Sequence, residues 1–227
     1  MSENSRKKPI SVGIIGLGKL GTAVYEEAVN NDEFYVGSIF SKRTDHPQIT
    51  ANLADFCNFC DVLIDCTSSG FENICDKLTK PIVIASTQPI SRYPSQIPTL
   101  LLPNASSWPI IHETIVKLAK MADFHIIIHD VHGQHKKDAP SGSIRKLLAN
   151  LSNTNSTTEV HSTRKFDVKG LYEITIFNET ERIKISHEVF DRKSYAKGLL
   201  KAAKWLISQK PGLYTTENLF QNFAENS

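Results

Sequence analysis

The sequence predicts an α/β fold: a doubly wound parallel sheet in the N-terminal half, then an α+β part, then a terminal helix. Three observations carry this. Short apolar runs of β type alternate with segments of helical spacing up to Asn104, at about the spacing of βαβ units. After Asn104 the pattern changes to a long helix, a strand, a second helix and a pair of alternating strands. The chain has 227 residues, enough for one large domain or two small ones with a substantial core.

Each element has its own signal. ISVGIIG (residues 10–16) is a continuous apolar run, as expected of a strand buried on both faces. The next segment switches to helical spacing, with Leu20, Val24 and Ala28 on one side. EFYVGSIF (33–40) reads as a second strand, residues 53–56 as a short helix, and DVLIDCT (61–67) as a third strand. GFENICDKL follows as a helix, PIVIAST (81–87) as a fourth strand and PTLLLPN (98–104) as a fifth. Residues 112–122 form a long helix, 123–135 a strand running into a polar loop, and 141–153 another helix. Residues 152–158, a run of Ser, Asn and Thr, read as loop. Residues 169–190 alternate as a hairpin around Asn178-Glu179. Residues 195–209 are an amphipathic helix stopped by Lys210-Pro211-Gly212.

Composition narrows the function classes. Hydrophobic content of 40% and charged content of 22% are ordinary for a globular protein. A net charge of +2 argues against nucleic acid or a membrane surface as partner. No apolar run approaches a membrane span, and the start runs directly into a glycine motif rather than a cleavage site, so a cytoplasmic protein is expected. The four cysteines, Cys57, Cys60, Cys66 and Cys75, crowd into one region, unlike a secreted disulfide framework. Cys57 and Cys60 form a C-x-x-C, which leaves a zinc or redox reading beside that of small, partly buried thiols.

Gly16-Leu17-Gly18-Lys19-Leu20-Gly21 has the form G-x-G-x-x-G, after the first strand and at the mouth of the first helix. That is a Rossmann-type dinucleotide fingerprint: glycines for the turn, for the approach of the pyrophosphate and for close packing, with the helix N-terminus toward the phosphates. The second strand ends in Phe40-Ser41-Lys42-Arg43, where an NAD site would carry an acid. A hydroxyl and two cations there would pair with a 2′-phosphate, so NADPH is expected, with NADH as the alternative.

HGQHKKDAPSGS (132–143) gathers two histidines, two lysines and an aspartate before a turn of small hydroxyl residues. A histidine moves protons near neutral pH, and a lysine holds a carboxylate. Ser141-Gly142-Ser143 at a helix start offers hydroxyls and N–H groups to an anion. Asp138 is placed to fix the turn. No metal is expected, because His129, His132 and His135 at three-residue spacing alternate faces on a strand. A capped helix after a solvated loop is the plainer alternative.

These residues carry a resemblance. The chain resembles the 4-hydroxy-tetrahydrodipicolinate reductase family of the bacterial and plant diaminopimelate route to lysine, over nearly its whole length. The similarity runs through the glycine motif, DVLIDCTSS, PNAS, the K-x-DAPSG run and the ending DRKSYAKGLLKAAKWLISQKPGLY. It implies NAD(P)H reduction of a cyclic dicarboxylate imine. It implies His132 as acid/base, Lys136 as supporting cation, and Ser141, Gly142, Ser143 and Thr87 at the substrate. Cofactor contacts are implied at Gly16, Gly18, Lys19, Leu20, Gly21, Ser41, Lys42, Arg43, Ala85 and Thr87. It also implies a homotetramer, a mixed open sheet in the second domain, and a C-terminal helix returning to the first. The expected domains are 1–104 plus 198–227 for the dinucleotide, and 105–197 for substrate and assembly. The family commonly has a second histidine after the first; here that residue is Gly133. Two further readings stand beside this one: another imine or amino-acid oxidoreductase on the same scaffold, or a non-catalytic NADP(H)-binding regulator.

Overall fold

The computed structural model describes residues 8–42, 45–50, 52–69, 71–86, 90–165 and 168–225. In chain order the first elements are β1 (Ile10–Ile15), α1 (Lys19–Val29), β2 (Phe34–Phe40), α2 (Leu53–Asn58), β3 (Val62–Asp65), β4 (Ile82–Ile84) and β5 (Pro98–Leu101). There follow α3 (Trp108–Met121), β6 (His125–Gly133), α4 (Gly142–Leu151), β7 (Thr157–Lys165), β8 (Leu171–Phe177), β9 (Arg182–Glu188), α5 (Lys193–Leu206), β10 (Gly212–Tyr214) and α6 (Thr216–Glu225). The chain divides into two compact units, Met1–Ser106 with Arg192–Ser227, and Ser107–Asp191.

In the first unit six strands pair in the order β10-β5-β4-β3-β1-β2, parallel at every step. The order reverses between β1 and β3, which makes the crevice at their carboxyl ends the place where such sheets bind ligands. The apolar runs are continuous because both faces are covered. Val12, Ile14, Val62, Ile64 and Val83 meet α1 and α5 on one face. Ile15, Leu63, Ile82 and Ile84 meet Phe56, Cys57, Cys60, Phe71, Cys75 and Leu78 on the other. Helix α5 buries Ala196, Leu199, Leu200, Ala203 and Leu206, the i, i+3, i+4 stripe of a helix facing a core.

Two local expectations differ from the structure. The helix expected around Phe71–Leu78 is a pair of 3-10 turns, Phe71–Asn73 and Cys75–Lys77. Their i→i+3 hydrogen bonds still send Phe71, Cys75 and Leu78 into the core, so the apolar spacing is met without an α-helix. The end of the Ser/Asn/Thr loop and the stretch after it form strand β7. Beyond the helix stop, β10 adds a sixth strand to the first sheet.

The second unit is a mixed sheet in the order β7-β6-β8-β9, with β6 and β7 parallel and the other pairs antiparallel. Register lays its side chains in rows. Thr158, Ile126, Ile176 and Ile183 form one row, and Val160, Ile128, Ile174 and Ile185 the next. Ile126, Ile128, Ile174 and Ile176 pack on Ile115, Ala119, Ile144 and Leu147 of α3 and α4. One row further the chemistry changes on the same face, to Ser162, Asp130, Tyr172 and His187. His132 lies beyond, paired with Arg164. The core therefore runs into a polar site at one end of the sheet.

Candidate active site

His132 is the penultimate residue of β6, and strand alternation puts it and Asp130 on the covered face. His129 is exposed on the opposite face, where its ring stacks on that of His161 at 5.0 Å. Among the described residues no group of three or more His, Cys, Asp or Glu could hold a metal ion. All four cysteines are free thiols, and burial, reinforced by Cys57, pushes the Cys60 thiol up to about 12.

Asp130, which the sequence reading did not single out, is the hub. It is fully buried, with Oδ1 2.9 Å from His132 Nδ1. Oδ2 accepts from Ser141 N at 2.8 Å and Ser162 Oγ at 3.3 Å, and lies 3.4 Å from an Arg164 guanidinium nitrogen. Burial alone would raise its pKa. His132 and the donors from Ser141 outweigh that and hold the carboxyl far below the usual range, so Asp130 is ionised. The pair is at ion-pair distance without a well-formed hydrogen bond among the described residues, and an ionised carboxylate beside Nδ1 favours a proton on that nitrogen.

Arg164 ties the loop to the sheet. It donates to the backbone oxygens of Asp130 at 3.2 Å, Thr163 at 2.9 Å and Lys136 at 3.3 Å, and to that of Asp138. Gln134 N donates to Lys165 O and Lys136 N to Gly133 O, closing the turn after β6. On this framed turn Lys136 Nζ lies 2.8 Å from Asp138 Oδ1. Asp138 Oδ2 accepts from Gly142 N at 3.1 Å, so this carboxylate caps α4 from four residues upstream, and Ser141 makes no side-chain cap. Burial raises the pKa of Asp138, but the Lys136 ammonium more than offsets it and the group stays low.

The structure thus brings His132, Lys136, Ser141, Gly142 and Ser143 together. Two of the N–H groups expected to meet an anion, those of Ser141 and Gly142, are held by Asp130 and Asp138. Among the described residues Ser141 Oγ is buried without a well-formed hydrogen bond; Asp130 and Tyr172 are its polar neighbours. Tyr172 places its hydroxyl near Ser143 and Ser141, and its ring 5.5 Å from that of His132 and 4.1 Å from that of Trp108. Burial pushes the phenol pKa up, so it is a neutral donor. Asp130 was legible as the i−2 neighbour of His132 on a strand. Arg164 and Tyr172 come from other strands, and only register reveals them.

The first unit holds the glycine motif. Gly16 has φ +86°, a conformation that favours glycine. A Cβ on Gly21 would overlap the Gly16 carbonyl oxygen, whereas one on Gly18 would meet nothing within 4 Å among the described residues. This is a closed turn with an open lip, at the start of α1, whose first turn carries no acid. Lys19 is exposed at that start, and Leu20 packs against the core. The arrangement suits a pyrophosphate. Ser41 is half-buried and Lys42 exposed past β2, and Ala85 N donates to Asp65 O at the end of β4. Arg43 and Thr87, both expected at the cofactor, lie outside the described residues.

Comparison with known proteins gives these features a family. The profile described as "Dihydrodipicolinate reductase, C-terminus" matches residues 109–220, which include the whole His132–Ser143 stretch. The chain is 30% identical to 4-hydroxy-tetrahydrodipicolinate reductase of Campylobacter lari, over 92% of this chain and 98% of the relative. It is 29% identical to that of Chlamydia felis, over 91% and 96%. The fold is that of dipicolinate-bound dihydrodipicolinate reductase from a Paenisporosarcina species, with a TM-score of 0.69 at 16% identity, covering 91% of this chain and 97% of that one. On this similarity along nearly its full length, the chain belongs to the 4-hydroxy-tetrahydrodipicolinate reductase family.

Proposed function

We propose that the protein is an NAD(P)H-dependent oxidoreductase that reduces 4-hydroxy-tetrahydrodipicolinate to tetrahydrodipicolinate, in lysine and diaminopimelate biosynthesis. The observation that carries this is the buried Asp130–His132 pair, set beside Lys136 and the Ser141–Ser143 helix start. The 4-hydroxyl leaves as water, and the reduced nicotinamide, when bound, supplies a hydride to the unsaturated ring that remains. The chain must then supply a proton and hold a dianion.

His132 is the proton donor. Asp130 engages Nδ1, so Nε2 is the atom that gives the proton to the ring as negative charge develops there. Lys136 stabilises that charge. Ser141, Gly142 and Ser143 hold a carboxylate, with the Tyr172 hydroxyl beside them. Asp138 rests on Lys136 and Gly142 N, two groups expected at the substrate. Its pair with Lys136 is about a third exposed and so worth at most about 1 kcal/mol, which lets a substrate carboxylate take its place. Thr87 completes the substrate contacts in this reading.

Gly16, Gly18, Lys19, Leu20 and Gly21 hold the pyrophosphate, with Ala85 and Thr87 toward the nicotinamide. Ser41, Lys42 and Arg43 favour NADPH over NADH through the 2′-phosphate. The same reading makes the protein a cytoplasmic homotetramer assembled through the second sheet; no described helix is long and apolar enough to cross a membrane.

The test is oxidation of NADPH with substrate made in place from pyruvate and aspartate semialdehyde by a coupled synthase, with NADH in parallel. Turnover is expected to fall at least about a hundredfold in His132→Ala and in Lys136→Ala. Wild-type rates in either variant would remove that residue from the mechanism. No turnover with either cofactor would leave a binding protein rather than an enzyme.

A further inference from the structure

Asp65 closes β3 at the reversal point of the first sheet, in register with Ile15, the residue before Gly16. It is fully buried. Oδ1 accepts two hydrogen bonds from Thr67, from N at 3.0 Å and from Oγ1 at 2.7 Å. Oδ2 is buried with no hydrogen-bond partner among the described residues. Burial pushes this carboxyl above its ordinary range, only partly countered by the Thr67 donors.

The turn that Asp65 holds is a wall of the glycine loop. A Cβ on Gly16 would lie 2.7 Å from Thr67 Cγ2 and 3.3 Å from Thr67 N. A Cβ on Gly21 would reach Cys66 Cβ at 3.5 Å. Cys66 N donates to Ile15 O at 2.8 Å, and on the other side Gly16 N donates to Phe40 O at 2.8 Å. The Gly16 turn is therefore clamped between the end of β2 and the Asp65–Thr67 turn. The two bonds to Oδ1 set both the backbone of Thr67 and the rotamer that presses its methyl on Gly16.

We infer that Asp65 is a positioning residue for the dinucleotide: through Thr67 it fixes the Gly16 turn on which the pyrophosphate rests. The inference rests on the dinucleotide reading of the Gly16–Gly21 loop. A carboxyl suits this place because Oδ1 accepts two bonds at once. Burial shifts the group toward its uncharged form, which lessens both the cost of an anion in the core and its opposition to the phosphates.

Binding of NADPH, followed by its fluorescence on the full-length protein well below the melting temperature, tests this. Asp65→Asn keeps the acceptor and carries no charge, and is expected to bind within about twofold of wild type. Asp65→Ala removes both bonds to Thr67, and its Kd is expected to rise about tenfold. Thr67→Ser keeps the hydroxyl and deletes only the methyl against Gly16; its Kd is expected to rise too, and it carries the test if Asp65→Ala does not fold. A merely structural carboxylate would lower the melting temperature of the alanine variant and leave the Kd of the folded protein unchanged. That result would overturn the inference, as would an asparagine variant as weak as the alanine one. Wild-type protein that binds neither NADPH nor NADH would instead sink the dinucleotide reading itself.

Discussion

Replacing Asp130 with alanine tests the site most severely, because four partners depend on one buried carboxylate. Its removal strands Ser141 N–H and takes the counter-charge from Arg164, whose side chain is only 18% exposed. Removing one partner of a buried ion pair costs about 3–5 kcal/mol. Arg164 keeps its carbonyl acceptors at Asp130, Thr163, Lys136 and Asp138, so the lower end, about 3 kcal/mol, is expected. Asp130→Asn still accepts from Ser141 N–H but turns an amide donor toward His132 or Arg164, and should cost about 1–2 kcal/mol. Both variants should lose about a hundredfold in turnover as His132, the proposed proton donor, loses its orientation. The assays are denaturant unfolding at several pH values and steady-state rates. The sign of the pH effect follows from the depressed pKa. The ionised group stabilises the fold above its unfolded pKa of about 3.9, and that stability is lost as pH falls toward the folded value. The gap between wild type and alanine variant should thus be constant near neutrality and shrink in acid. An alanine variant within about 0.5 kcal/mol of wild type, or a gap that widens on acidification, would refute the buried-hub account.

Three further outcomes are expected. A Cβ on Gly198 would overlap the Ala105 carbonyl oxygen, so Gly198→Ala should lift α5 from its seat and cost about 3 kcal/mol or more in denaturant unfolding. Lys42→Ala should raise KM for NADPH about tenfold while leaving KM for NADH unchanged, and an equal effect on both would remove Lys42 from 2′-phosphate recognition. Cys60, buried and pushed up to about 12, should resist a chromogenic disulfide reagent at mildly alkaline pH in the native protein and react at once in denaturant.

Where the sequence has a period, the fold was legible from it. The runs of β1, β3 and β4 read as buried strands because each strand is covered on both faces, and α5 reads from its stripe. Strand β7, TTEVHSTRK, was hidden because it is an edge strand with many exposed positions, so its polar composition resembles a loop. The turns at Phe71 and Cys75 share the apolar spacing of a helix, and composition alone does not separate the two. In the candidate site, the grouping of His132, Lys136 and Ser141–Ser143 was legible because they lie close together in the chain. Arg164 and Tyr172 meet them only through pairing of β6 with β7 and with β8, which a linear pattern does not encode.

The second unit is spliced into the first, between β5 and α5. Helix α5 brings Ala196, Leu199, Leu200, Ala202, Ala203 and Leu206 to the core of the first unit, and β10 brings its last strand. A ribosome making this chain therefore releases the loop after β6 before the first sheet can close. The unit that begins first is completed last, and its half-built apolar face must wait through the synthesis of the other.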